Sequence, residues 1–433
     1  MKQIKTRLAA MGFLEFAVWG AYLTSRGAFL ARNGLAGQIG WLYAIQGVVS
    51  IFMPALVGIV ADRWIQAQKM LSLCHVIAGS FMIAAGWYAM DAGAGLEFAP
   101  LFTLYTISVA FFMPTIGLSN SVAYTALNKA GLDTVKNFPP IRTLGTVGFI
   151  CAMLFVNFTG YQNTYQQLFT SGALSFVLAI YCLTMPACPT NHNGSASMVD
   201  ALGLRAFTLF KDKQMAIFFI FSMLLGVSLQ ITNGFANPFI QSFGSVATFA
   251  DDWGVKNANA LISLSQISET LCILLIPFFL RRFGIKVVML MAMFSWVLRF
   301  GFFGIGDTGS GVVFLILSMI VYGVAFDFFN VSGSLYVDQQ TDRSIRSSAQ
   351  GLFMVMTNGI GATVGTLCAQ GVIDRYVYSQ PEGEAQIAGW HHAWLIFAAY
   401  ALVVAVLFMI IFRYRHVDPD KKEIRAEMNK VEI

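Results

Sequence analysis

"SMIVYGVAFDFFNVSGS", residues 318–334, is an apolar and aromatic run with one aspartate, Asp327, near its centre. No basic residue stands within ten positions of it on either side. A buried carboxylate is costly unless a partner, water or a proton satisfies it. Its meaning therefore depends on the solvent around the segment. Of the 433 residues, 57% are hydrophobic and only 11% charged, and the mean hydropathy is +0.67. Soluble domains carry about 25% charged residues, so this chain cannot dress a water-facing surface. Apolar segments recur at residues 8–30, 37–61, 70–90, 98–124, 140–160, 166–186, 214–240, 257–280, 285–305, 311–335, 347–372 and 391–413. Each approaches the roughly 20 residues that cross ~30 Å of hydrocarbon as a helix. The fold class is an all-α membrane protein with twelve transmembrane helices.

The net charge of +5 would suggest nucleic acid in a soluble protein, but here its distribution matters more. With the N-terminus in the cytoplasm, about 21 Lys and Arg fall in the tails and loops on that side. Only Arg32, Lys256 and Arg375 fall on the other, while Arg26, Arg142 and Arg299 lie within spans. This asymmetry predicts cytoplasmic N- and C-termini, and no nucleic-acid partner is expected. The opening MKQIKTRLAAMGF has the basic start of a secretory signal. Its apolar run is too long, contains Glu15 and lacks a small-residue cleavage site, so it is read as a retained first membrane helix. Cys74, Cys151, Cys182, Cys272 and Cys368 lie in apolar runs and Cys188 in a polar linker. With no C-x-x-C and no Cys/His cluster, neither a disulfide framework nor a metal is expected.

Between spans six and seven, ACPTNHNGSASMVDALGLRAFTLFKDK is rich in Pro, Asn, Gly and Ser and reads as a linker. The expected division is a six-helix half over residues 1–186, a cytoplasmic linker over 187–213, a second six-helix half over 214–413, and a cytoplasmic tail over 414–433. Leu202, Ala206, Leu209 and Phe210 recur at helical spacing and suit a helix lying in the membrane interface. Asn193-Gly194-Ser195 matches a glycosylation sequon, but a cytoplasmic loop never meets that machinery. IRTLGTVGF opens span five and IRSSAQGLF opens span eleven, aligning Arg142 with Arg346, Thr146 with Gln350 and Phe149 with Phe353. The same pattern in corresponding spans fits two parallel repeats. The loop GIVADRW, with Gly58, Asp62 and Arg63, resembles the signature loop of the major facilitator superfamily, and RRFGIK fills the matching loop of the second half. That resemblance implies the superfamily's fold of two six-helix halves.

At 100° per residue, Tyr322, Gly323, Phe326, Asp327, Asn330 and Ser334 share one side of span ten. Ser263, Gln266, Glu269 and Thr270 do so in span eight. Gln230, Asn233 and Asn237 line span seven, and Arg142, Thr146 and Phe149 follow at i, i+4 and i+7 on span five. Lipid satisfies none of these groups, so the faces should meet one another or water. Glu15, Glu269 and Asp327 are acids within spans. Such acids mark substrate pathways and proton relays, or else pair with an arginine or stay protonated as structural groups. Amides, carboxylates, an arginine and aromatic faces suit a ringed solute rich in hydrogen-bonding groups. That chemistry leaves sugar and nucleoside both open.

FFMPTIGLSNSVAY, NFPPIRTLGTVGFI, KDKQMAIFFIFSMLLG, LQITN, SQISETL and VYGVAFDFFN are similar to the bacterial nucleoside–proton symporter family, which includes nucleoside and xanthosine permeases. The similarity runs from about residue 10 to residue 415. It implies a proton-coupled importer of purine or pyrimidine nucleosides in the bacterial inner membrane, working by alternating access without a cofactor. It also implies a substrate pocket of Arg142, Thr146, Phe149, Gln230, Asn233, Gln266, Glu269, Tyr322, Phe326 and Asp327, with proton coupling at Glu269 and Asp327. Nucleoside, protons and the lipid bilayer are the implied partners, with the chain a monomer and not an enzyme.

Some residues keep two readings. Arg142 lies about one turn after Pro139-Pro140, so it suits either the pocket or a guanidinium snorkelling to the headgroups. Glu15 and Arg26 form a candidate pair, although eleven residues place them ~16 Å apart along a helix. Arg299 is expected at the outer interface. A sugar–proton symporter of the same fold is the rival within transport, and a receptor is a rival outside it. Gly304-Ile305-Gly306-Asp307 matches the G-x-G-D of intramembrane aspartyl proteases. The chain has no Tyr-Asp dipeptide, however, and Asp307 follows span nine, so a turn is the reading.

Overall fold

Backbone inside hydrocarbon must satisfy its own N–H and C=O groups, which drives each long apolar run into a helix. The structure, a computed structural model, describes residues 2–190, 204–341 and 345–414, and a helix stands at each of the twelve expected spans. The sequon at 193–195, Leu202 and the tail from 415 onward lie outside the described residues, as do the side chains of Asp62 and Arg346.

The first half comprises α1 (Lys2–Gly20), α2 (Ile39–Arg63), α3 (Ala67–Ala92), α4 (Phe98–Lys129), α5 (Thr134–Phe158) and α6 (Gln166–Cys182). A turn after Gly20 breaks the first span, which resumes as a short helix, Arg26–Arg32. The second half opens with α7 (Lys213–Ser242) and α8 (Ala258–Cys272). The next element, Ile276–Ile305, is two helices meeting at Gly284, whose φ of +77° favours glycine. Its first part completes the eighth span, and residues 285–305 are α9. α10 (Val312–Gln340), α11 and α12 (Glu384–Ile411) follow. α11 begins as Arg346–Met354, widens into a π-helical stretch at Val355–Gly361 and ends as Ala362–Ile373. Among the described residues, eight helices are long and apolar enough to cross a membrane by themselves. The remaining spans are α6, which is shorter, and α1, α8 and α9, which are interrupted or carry charge.

The linker helix Leu204–Lys211 departs from expectation. Ala206 is buried, Leu209 and Phe210 pack on the protein core, and the Phe210 ring lies 5.5 Å from Phe219 of α7. Its apolar side therefore turns to the second half rather than to lipid headgroups.

Membrane helices have no hydrophobic force drawing them together, so small residues let backbones close. A Cβ at Gly20 of α1 would collide with the Phe149 carbonyl of α5, and one at Gly148 with the Phe13 carbonyl. Glu15 is not paired with Arg26. Its carboxylate lies 2.9 Å from His75 Nε2 and accepts from Thr115 Oγ1 at 2.5 Å, tying α1 to α3 and α4. The break after Gly20 separates the two residues. Glu15 faces its own half's core, whereas Arg26 sits where the halves meet.

The halves meet along α2 with α11, α5 with α8, and the Arg26–Arg32 helix with α7. The first two seams exchange under the relation that maps span five onto span eleven. At the end of the bundle away from the termini the seams are bridged by amides. Asn157 donates to Asn257 Oδ1 at 2.8 Å and accepts the Ala260 N–H at 3.2 Å. Gln162 donates to the Lys256 carbonyl at 3.0 Å and accepts the Asn259 N–H at 3.3 Å. First-half side chains thus cap the open N–H groups that begin α8. Thr24 Oγ1 and Asn237 Nδ2 both donate to Asn259 Oδ1, at 3.0 and 2.7 Å, and Gly40 N–H donates to Gln370 Oε1 at 2.7 Å. At the other end, hydrogen bonds among the described residues stay within a half, as with Arg7 to the Thr184 carbonyl or Lys286 to the Met409 carbonyl at 3.0 Å. A core cluster there, around Leu71, Leu127 and Leu178, contains first-half residues alone. Among the described residues, the bundle is bridged across its seams at the end away from the termini and not at the end that carries them.

Candidate functional site

α10 closes onto α8 at Gly323, where a Cβ would collide with the Ser268 backbone. One turn beyond that contact, Asp327 is 6% exposed, and its Oδ2 has no hydrogen-bond partner. Tyr322 and Phe326, one turn apart, stack with centroids 5.7 Å apart and planes 4° from parallel. Gln266 of α8 reaches the Tyr322 hydroxyl, and Tyr322 feels the charges of Glu269 and Asp327.

Behind Tyr322 stands Arg299, which the structure removes from the interface where the sequence places it. It is 2% exposed, with its guanidinium carbon 4.4 Å over the Tyr322 ring and Nη1 donating to the Ser318 carbonyl at 2.8 Å. The same nitrogen reaches Ser265 Oγ at 3.3 Å. α9 turns this residue inward, where aromatic faces and the Ser318 carbonyl offset the cost of burying the charge. Trp296, one turn away, meets Tyr322 edge-on at 5.9 Å. Sequence reasoning missed both as supports of the stacked pair. Their i, i+3 spacing on α9 was the available signal.

α5 supplies the other wall. Arg142 stacks on Phe16 of α1 at 4.0 Å, and its charge acts on both Glu269 and Asp327 across the α5–α8 seam. With the charges of Glu269 and Asp327 in range, Arg142 is a candidate for this wall of the site. Thr146 lies one turn along the same face. Phe149 is buried and held edge-on by Trp19 at 6.1 Å. On α7, which packs against α8 and α10, Asn233 Nδ2 donates to Gln230 Oε1 at 3.1 Å.

Not every polar residue on these faces joins the site. Asn237 and its neighbour Gln241 belong to the closed end, with Gln241 donating to Asn237 at 2.7 Å. Asn330 donates back to the Phe326 carbonyl at 3.1 Å, and Ser263 and Thr270 likewise bond their own helix. Ser334 exchanges bonds with Gln350, joining α10 to α11. The resulting cluster combines two acids and an arginine, neutral amides, and stacked rings. It can take a proton, accept a hydrogen bond from a hydroxyl, and cover the face of a flat ring.

The model of a family described as "Nucleoside H+ symporter" matches residues 1–417. The chain is 46% identical over 428 residues to a xanthosine permease of Escherichia coli (strain K12), covering 98% of this chain and 99% of the relative. It is 44% identical over 418 residues to the nucleoside permease NupG of the same strain, covering 96% and 97%. Crystal structures of the nucleoside transporter NupG, one of them a mutant, superpose with TM-scores of 0.85 and 0.88, covering 95% of this chain and 100% of theirs. The twelve helices therefore have the major facilitator fold, and the chain belongs to the nucleoside H+ symporter family.

Proposed function

We propose that this transporter imports nucleosides together with protons across the bacterial inner membrane by alternating access, with both termini in the cytoplasm. Two six-helix halves, residues 1–186 and 214–413, would rock about the central cluster. With that orientation, the closed end faces outward and the parted end faces the cytoplasm. The observation that carries the reading is Asp327, buried with one oxygen unpartnered and charge-coupled to Glu269 and Arg142, beside the stacked Tyr322 and Phe326.

In this reading Phe149, Tyr322 and Phe326 cover the base, while Gln230, Asn233, Gln266 and Thr146 bond its edge or the ribose. Glu269 accepts from a ribose hydroxyl, Asp327 carries the proton, and Arg142 answers both acids. One proton moving down ~150 mV supplies roughly 3.4 kcal/mol, enough for ~300-fold accumulation of a neutral solute. Uptake of labelled nucleosides into proteoliposomes, with and without an inward proton gradient, tests the proposal. Gradient-driven accumulation of a nucleoside that unlabelled sugars do not compete with is the expected result. Competition by sugars but not by nucleosides would transfer the site to the sugar reading.

A further inference from the structure

Arg26 lies outside the pocket described above, and nothing in the proton-coupled mechanism uses it. It is 2% exposed. Its guanidinium carbon sits 3.7 Å over the Tyr43 ring, 4.8 Å from that of Tyr105 and 5.5 Å from that of Tyr22. Nη2 donates to Gln46 Oε1 at 2.8 Å and the guanidinium also reaches the Tyr43 hydroxyl, while Nε, Nη1 and the Tyr22 and Tyr105 hydroxyls have no well-formed hydrogen bond. Among the described residues no carboxylate compensates this charge. Glu15 is taken by His75 and Thr115, and Glu269 and Asp327 are coupled to Arg142. Aromatic faces stabilise a buried cation only in part, and an uncompensated one remains costly. Arg299 is buried over rings in the same way, but its Nη1 reaches Ser318 and Ser265, whereas the Arg26 cage leaves Nη1 and two tyrosine hydroxyls open for a ligand.

Its position says when the ligand would arrive. The cage is covered by α7. Gly27 packs on the Gly234 carbonyl, and a Cβ on Gly234 would lie 3.3 Å from the Tyr43 ring. Gly234 follows Asn233 of the pocket directly. Parting of the halves at this end would lift α7, which carries Asn233 and Gly234, off the Arg26–Arg32 helix. A chain of rings also runs from the cage to the pocket, from Tyr22 to Phe112 at 6.5 Å, on to Trp19 at 6.2 Å, and to Phe149 at 6.1 Å. Above the cage, a cavity of about 530 Å³ is lined by Arg32, Gln241 and Lys256 among others. Lys256 is paired with Asp251 at 2.8 Å, whereas Arg32 bonds the neutral amide of Gln241 at 2.9 Å. Arg32 and Arg26, at the two ends of one short helix, thus give this end a local positive charge, which attracts anions.

We propose that Arg26, with Tyr22 and Tyr105, is a second recognition element that takes the oxo edge of an anionic nucleobase as the substrate enters. It would favour nucleosides of dioxopurines over those with neutral bases. A dioxopurine loses a ring proton near neutral pH and spreads the charge over its carbonyl oxygens and ring nitrogen. Two adjacent guanidinium N–H groups match two such acceptors, and the tyrosine hydroxyls donate to the remainder. Adenine and uracil bases are neutral and gain no such contact. The proposal rests on the nucleoside reading of the central pocket.

The test is the ratio of labelled xanthosine uptake to uridine uptake, measured in proteoliposomes for the wild type, Arg26→Leu, Arg26→Lys and Gln46→Leu. Arg26→Leu should lower the ratio by about tenfold or more, the scale of a lost hydrogen bond to a charged group, with Arg26→Lys intermediate. Remaining uridine uptake reports that a variant is inserted. Should Arg26→Leu fail to insert, a lowered ratio in Arg26→Lys or Gln46→Leu carries the same support. An unchanged ratio in the inserted variants, even with both uptakes reduced, overturns the proposal and makes the cage a strut for the seam. A wild type that carries uridine but no xanthosine also overturns it. A wild type that carries no nucleoside refutes the central reading instead, a distinguishable failure.

Discussion

Asp327 keeps one buried oxygen without a partner, whereas Glu15, an equally buried acid, is satisfied on both oxygens. That contrast supports the proposal that Asp327 carries the proton. Asp327→Asn keeps the shape and removes the titratable group, so accumulation driven by a pH gradient should be lost while the protein remains inserted. Wild-type accumulation by that variant would move the role to Glu269. Stacking makes a separate prediction. Phe326→Ala and Phe149→Ala should each weaken nucleoside binding by roughly 1–3 kcal/mol, as when an aromatic under a base is removed. Leucine at either position should recover little, and full recovery in a binding assay would show that bulk rather than the π-face matters. Glu269→Gln should reduce affinity as well as pH dependence, because an amide accepts a weaker hydrogen bond than a carboxylate. Its effect should be non-additive with Gln266→Ala, since both sit on one face of α8 within reach of a single ligand. Titrating the single and double variants in detergent decides this, and strict additivity would separate the two residues.

Helix contacts at glycine determine how these side chains meet. Gly323 lets α10 reach α8, whereas a Cβ added at Gly301 of α9 would meet nothing within 4 Å. Gly323→Val should therefore cost about 1–3 kcal/mol of stability through overpacking and should weaken substrate binding by shifting Tyr322 and Asp327. Gly301→Ala should change stability by no more than about 1 kcal/mol. Thermal unfolding in detergent, paired with a binding titration, checks both. Equal tolerance at the two glycines would show that the α8–α10 contact is not what sets the pocket. The same reasoning explains how far the sequence could be read here. Periodicity identified α7, α8 and α10 as helices with polar faces, but only the packing sends Asn237 to the seam and leaves Asn233 beside Gln230.

The molecule as a whole is held shut at one end by neutral amides that cap backbone across the seam. A net hydrogen bond contributes about 1 kcal/mol, and breaking the Asn157 and Gln162 contacts removes several. Asn157→Ala with Gln162→Ala should therefore shift the population toward the state open at that end by about tenfold or more. Spin labels placed on the two halves at the closed end would report this as a longer distance distribution. An unchanged distribution would mean that apolar packing alone closes the seam.

Hydropathy, loop charge and helical periodicity are local quantities, and they sufficed for the membrane class, the twelve spans and the polar faces around Asp327. The family resemblance rested on short contiguous motifs such as SQISETL and VYGVAFDFFN, which are equally local. The partner of each buried charge was not legible in the same way. A polar side chain within a span must avoid lipid, but a neighbouring helix, the opposite half and an open cavity all meet that requirement. Only the rotation and close approach of helices distant in sequence choose among them. That is why Glu15 is held by His75, Arg299 stands behind Tyr322, and Arg26 is caged by tyrosines of α2 and α4 and by the turn before it.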